Sequence, residues 1–104
     1  MIYRTLSEEQ RSLTYELKQA GLNIKNQVAV PLVYADIKIE ITYRLDLLVN
    51  DLVIIEIKSV ETLTDVHHKQ LLTYLKLSDK KLGLLINFNS SSLRNSITRI
   101  VNNL

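Results

Sequence analysis

The chain contains no cysteine, so disulfides and thiolate metal sites are excluded. Proline occurs once, at Pro31, inside a run (25–34) that otherwise reads as a strand. A proline there favours a sheet edge or a bulge, because it cannot donate to the ladder. No apolar run approaches the ~18 residues that a membrane-spanning helix requires. Charge of one sign is not in excess: the net charge is +2, which neither establishes nor opposes a nucleic-acid partner. The opening MIYRTLSEEQ has no basic and apolar leader, so a cytoplasmic protein is expected.

What is present is ordinary globular composition. Of 104 residues, 46% are hydrophobic and 23% charged. That is one domain with one core, and a domain this small buries only ~60–70% of its extendable surface. Dimerisation would add stability, so a homodimer is one expectation.

The informative stretch is Tyr43 to Lys58, YRLDLLVNDLVIIEIK. It reads as two Val, Ile and Leu-rich strands joined by a turn at Asn50-Asp51. Side chains alternate across a strand. Tyr43, Leu45, Leu47 and Val49 are therefore expected on one face, with Arg44, Asp46 and Leu48 on the other. Val53, Ile55 and Ile57 are wholly apolar, whereas Ile54, Glu56 and Lys58 are mixed. Matching the apolar faces places Asp46 with Glu56 and Lys58. Directly paired residue numbers then sum to an even total, which favours a three-residue loop or a bulge beside the turn. Two carboxylates converging beside an ammonium suit a hard cation such as magnesium, with the lysine free to orient a water. The bland reading of the same residues is an ion pair at the solvated end of a hairpin.

The remaining elements follow from periodicity and punctuation. Ser7 to Ala20 predicts a helix, capped by Ser7, with Glu8 and Glu9 in its first turn and Gly21 after its end. Leu6, Leu13, Leu17 and Ala20 form its apolar stripe, while Glu9 and Glu16 read as solvated acids. Lys25 to Tyr34 predicts a strand, Ala35-Asp36 a turn, and Ile37 the start of the long strand that runs into Asp46. Thr64 or Asp65 can cap a helix over Val66 to Leu77, on which His67, Gln70 and Tyr74 share a stripe. Ser78 to Lys81 is a polar turn. Leu82 to Phe88 reads as a strand buried on both faces, and a helical crossover before it predicts parallel pairing through a right-handed connection. Asn89 to Ser92 reads as loop and cap. The spacing of Leu93, Ile97, Ile100, Val101 and Leu104 predicts a closing amphipathic helix with Arg94 and Arg99 on its other face.

An aspartate in an apolar strand, a turn, then Glu-x-Lys in the next strand, in this order of elements, resembles the PD-(D/E)XK nuclease superfamily. Gln70-Leu71-Leu72-Thr73-Tyr74 resembles the Q-x-x-x-Y motif of its RecB-like members. The runs at Tyr43–Lys58, His67–Leu75, Leu82–Phe88 and Arg99–Asn102 are similar to those of small bacterial GxxExxY proteins. The resemblance implies an α/β (α+β) fold: a restriction-endonuclease-like αβββαβα core with a mixed four-stranded sheet flanked by helices. It implies that Asp46 and Glu56 ligate Mg²⁺ (or Mn²⁺), with the Ile57 carbonyl as a third ligand. Lys58 would position the hydrolytic water, and Gln70 and Tyr74 would organise the site or touch the scissile phosphate. The implied partner is nucleic acid, DNA in the first place. The resemblance stops short at the front. Aligned back from Glu16-Leu17, the family's first-helix glutamate falls at Leu6 and its tyrosine at Glu9. Leu45 also stands where the superfamily name has proline.

Three readings stay open on these residues. One is a metal-dependent phosphodiesterase. The second is a nuclease-fold protein with weak or lost activity that binds nucleic acid or a partner. The third is a plain interaction domain in which Asp46, Glu56 and Lys58 form an ion-pair network.

Overall fold

A computed structural model describes residues 6–34, 37–88 and 97–103, with side chains outside 31–42. The first helix, α1 (Glu8–Gln19), starts where the Ser7 hydroxyl accepts from the Gln10 amide at 3.1 Å. It stops in a Schellman turn: Gly21, at φ +87°, donates to the Lys18 carbonyl and Leu22 donates to the Leu17 carbonyl. Leu17 and Leu22 then pack into the same core cluster.

Five strands follow in one sheet: β1 (Ile24–Tyr34), β2 (Ile37–Val49), β3 (Val53–Lys58), β4 (Leu82–Asn87) and β5 (Ile97–Val101). They lie side by side in chain order. β1, β2 and β3 form an antiparallel meander, and β4 joins β3 in parallel through helix α2 (Asp65–Ser78). Pro31 meets both expectations for it, since β1 is an edge strand and its register against β2 shifts between Pro31 and Val33. The turn between β2 and β3 has three residues, because Val49 pairs with Val53. Asn50 and Asp51 both take positive φ there, a conformation their short polar side chains tolerate. The expected turn at 35–36 and the loop and cap at 89–92 lie outside the described residues.

The sheet is covered on both sides. α2 covers one face with Leu71, Tyr74 and Leu75, which pack on Val30, Leu45, Leu48, Ile54 and Leu85. α1 covers the other with Leu13 and Leu17, against Leu47, Val49, Ile55 and Ile86. Gly83 lets α2 come close, since a Cβ there would lie 3.0 Å from the Leu71 side chain. No helix among the described residues is long and apolar enough to cross a membrane.

The expected fold class holds, with two corrections. The closing helix is instead strand β5, antiparallel to β4, so the sheet has five strands rather than four. Ile97, Ile100 and Val101 do fall at helical spacing. However, the segment ITRIV is four-fifths β-branched, and an unpaired β4 edge would leave backbone groups without partners. Arg99 therefore lies exposed on a strand, and Arg94 lies outside the described residues. The second correction concerns β2. Tyr43 and Leu45 pack with the α2 core, whereas Leu47 and Val49 pack with the α1 core. The strand changes the face it presents at Asp46, and simple alternation from Tyr43 to Val49 fails there.

Candidate functional site

The change of face marks the place where β2 leaves β3. The ladder between them runs from Val49 with Val53 to Leu47 with Ile55. Beyond it, side chains replace the backbone partners. The Asp46 amide donates to Glu56 Oε1 at 3.2 Å, and the Ile57 amide donates to Asp46 Oδ2 at 2.8 Å. One oxygen of each carboxylate is thereby tied to the opposite strand. A further hydrogen bond joins the two carboxyl side chains to each other, through the proton that the raised Glu56 carboxyl holds. The two carboxyl groups occupy one fork.

The electrostatics are those of two acids held close together away from water. Glu56 is only 4% exposed. Burial first, and then the neighbouring Asp46 charge, push its carboxyl up to about 8, with Lys58 pulling weakly the other way. No ion pair joins Lys58 to Asp46 or Glu56 among the described residues. The Lys58 ammonium instead donates to Gln70 Oε1 at 2.9 Å, and Gln70 Nε2 donates to the Tyr74 hydroxyl at 2.9 Å. An ammonium can only donate, so the Gln70 amide orientation is determined. Burial and the Glu56 charge raise the Tyr74 hydroxyl above its usual range, so it keeps its proton. Tyr43 packs on it, with ring centres 5.2 Å apart.

α2 carries Gln70 and Tyr74 four residues apart, on the face turned toward β3. Its start is secured by His67, whose Nδ1 accepts from the Thr64 amide at 2.9 Å. His67 is thus a helix cap and not part of the fork. Asn87 closes the arrangement from β4. Its side chain donates to the Val60 carbonyl and accepts from the Val60 amide, at 2.8 and 2.9 Å. That pins the chain just after Lys58, opposite which Asn87 sits in the register.

Residues 5–100 match a family described as the PD-(D/E)XK nuclease superfamily. The chain belongs to this superfamily. Among solved structures, SSO0001 shares the fold with a TM-score of 0.72, at 22% identity, over 92% of this chain and 49% of that one. The chain therefore spans about half the length of that protein. No curated protein matches it.

As a superfamily member the domain is expected to use a divalent cation, and the donor set of the fork fits one. Two carboxyl groups converge at one point, which suits a small hard ion. Among the described residues no third acidic, histidine or cysteine side chain joins them. Glu9 and Glu16 do not fill that role. Both are exposed and line a cavity of about 290 Å³ with Leu13, Ile86, Phe88 and Ile97, on the α1 face of the sheet.

Sequence reasoning missed one set of residues around the fork. Gln10 and Thr14 are the most buried residues of α1, while Ala20, expected in its apolar stripe, is exposed. Gln10 Nε2 donates to the Asp46 carbonyl at 2.8 Å. The signal was available: position 10 lies on the same helical stripe as Leu6, Leu13 and Leu17, so a polar residue interrupts an apolar face.

Proposed function

We propose that this domain is a divalent-metal-dependent nuclease, acting on nucleic-acid phosphodiesters and on DNA in the first place. The observation that carries the reading is the crossed pair of bonds that holds the Asp46 and Glu56 side chains together in one fork. Asp46, Glu56 and the Ile57 carbonyl would hold Mg²⁺ or Mn²⁺. The Ile57 amide reaches toward β2, and in an extended strand its carbonyl points the same way, into the fork. When bound, such a cation polarises the phosphate and makes water a stronger nucleophile at neutral pH.

The remaining steps belong to side chains. Lys58 uses one of its three donors on Gln70, which leaves two to orient a water and to offset charge building on the phosphate. Gln70 fixes the ammonium in place. The Tyr74 hydroxyl accepts from Gln70 and retains its own proton to donate toward a phosphate oxygen. The likeness of this pair to the Q-x-x-x-Y motif of RecB-like nucleases, and of the chain to GxxExxY proteins, supports those roles. A homodimer on DNA is part of this reading, since one small domain presents little surface to a duplex.

A second reading is favoured by one observation. With only two carboxylates gathered among the described residues, the domain could be a weak or inactive nuclease fold that binds nucleic acid or a partner. The deciding experiment is cleavage of branched, linear and single-stranded DNA with Mn²⁺, wild type against Lys58→Ala. Cutting by the wild type that Lys58→Ala abolishes supports the nuclease. Salt-sensitive binding without cutting supports the second reading. In parallel, Mn²⁺ should raise the melting temperature of the wild type but not of Asp46→Ala.

A further inference from the structure

The main chain at Asp46 is held by side chains on both sides. Its amide reaches Glu56, and its carbonyl is taken by Gln10 from α1 at 2.8 Å. A carbonyl can only accept, so the atom of Gln10 facing it is the amide nitrogen. The second hydrogen on that nitrogen goes to Asn26 Oδ1 at 3.1 Å, and Gln10 Oε1 accepts from Gln27 Nε2 at 3.2 Å. The single Thr14 hydroxyl hydrogen is shared between the same Asn26 oxygen and the Gln10 carbonyl. Gln10 is 4% exposed and every polar atom of its side chain is engaged.

The neighbouring strand is bent to reach it. Asn26 and Gln27 are consecutive, and in a regular strand their side chains would point to opposite faces. Gln27 instead has φ +51°, a left-handed conformation that is costly for a non-glycine residue, and both side chains reach Gln10. Gln27 lies opposite Asp46, between the pairs Asn26–Leu47 and Val28–Leu45. The strained position, the change of face of β2 and the buried amide therefore coincide.

We propose that Gln10 is a positioning residue for the metal site: by holding the Asp46 carbonyl it fixes the main-chain turn that aims the Asp46 carboxylate into the fork beside Glu56. This inference rests on the metal-site reading above. It assigns to α1 an amide donor that acts on the main chain of Asp46 and not an acid that binds the metal. A glutamate at position 10 would set a carboxylate oxygen against the Asp46 carbonyl.

The test compares Gln10→Met, Gln10→Glu and Thr14→Val with wild type by Mn²⁺ titration calorimetry, with cleavage kinetics as a second readout. Gln10→Met keeps length and apolar volume, so it folds where a smaller residue would leave a cavity. It should weaken Mn²⁺ binding about 10- to 100-fold, as loss of a group orienting a metal ligand does, and lower kcat without raising KM for DNA. Gln10→Glu should bind Mn²⁺ no better than Gln10→Met, although it adds negative charge. Thr14→Val removes the one hydroxyl of the same cluster and should lower the melting temperature while leaving Mn²⁺ affinity unchanged. Wild-type affinity in Gln10→Met overturns the proposal. So does a Thr14→Val loss of affinity in step with its loss of stability, which makes the cluster scaffolding only. Tighter binding by Gln10→Glu also overturns it, since position 10 would then be a vacated ligand position. If the wild type binds no Mn²⁺, or Asp46→Ala binds it equally well, the nuclease reading fails and this inference fails with it.

Discussion

Two hydrogen-bonded networks converge on the same fork from opposite helices, and they are built differently. On the α2 side, Lys58, Gln70 and Tyr74 form a chain of two bonds in which the ammonium and the phenol keep spare donors. On the α1 side, Gln10, Thr14, Asn26 and Gln27 form a buried cluster in which the Gln10 amide is fully engaged. Spare donors next to a pair of carboxyl groups can act on a substrate, whereas a saturated buried amide can only hold something still. The domain thus separates residues that react from residues that aim them, and the line between the two sets runs through Asp46.

That contrast can be broken by substitution. Lys58→Ala should produce the largest change, a loss of roughly 10²- to 10³-fold in Mn²⁺-dependent cleavage, with little change in melting temperature. A large loss of stability instead would mean that the α2 chain is structural too.

Glu56→Gln tests the fork itself. In the absence of metal, Glu56 has its carboxyl raised from 4.5 to about 8, so the folded protein holds a proton that the unfolded chain releases. Its contribution is therefore fully present below the ordinary glutamate range and is lost as pH rises toward about 8. Melting curves of the metal-free wild type should fall by on the order of 10 °C across that window, and Glu56→Gln should flatten the fall. Mn²⁺ affinity should move the opposite way in the wild type, rising with pH as the proton is displaced. A flat melting profile would show that the fork is better hydrated than its burial implies.

Tyr74→Phe is the smallest change. It removes one hydroxyl from the α2 chain, and cleavage should fall roughly 5-fold, the worth of one hydrogen bond of ~1 kcal/mol. No effect on cleavage would confine the chemistry to Lys58 and the carboxylates.

Much of the α2 side was legible from residue order. Parity of the two apolar strands put Asp46 with Glu56, and it favoured a three-residue turn or a bulge, of which Val49 and Val53 close the former. Helical spacing put Gln70 and Tyr74 on one stripe. The α1 side was legible only in part: Gln10 shares the stripe of Leu6, Leu13 and Leu17, but what it meets there depends on the opposing surface. That surface exists only where Gln27 takes a left-handed turn, and nothing about a glutamine announces one. The closing strand was misread for a related reason. Positions 97, 100 and 101 satisfy a helical period and a strand composition equally, and the open edge of β4 decides between them.

Sequence alone determined which groups can do chemistry here and which face of each regular element they occupy, because side-chain direction in helices and strands follows from local backbone geometry. The tertiary structure alone decided where regularity ends: the change of face at Asp46, the buried Gln10 beneath it and the fifth strand. Each depends on what a distant segment offers to an unpaired backbone group, and no local pattern encodes that.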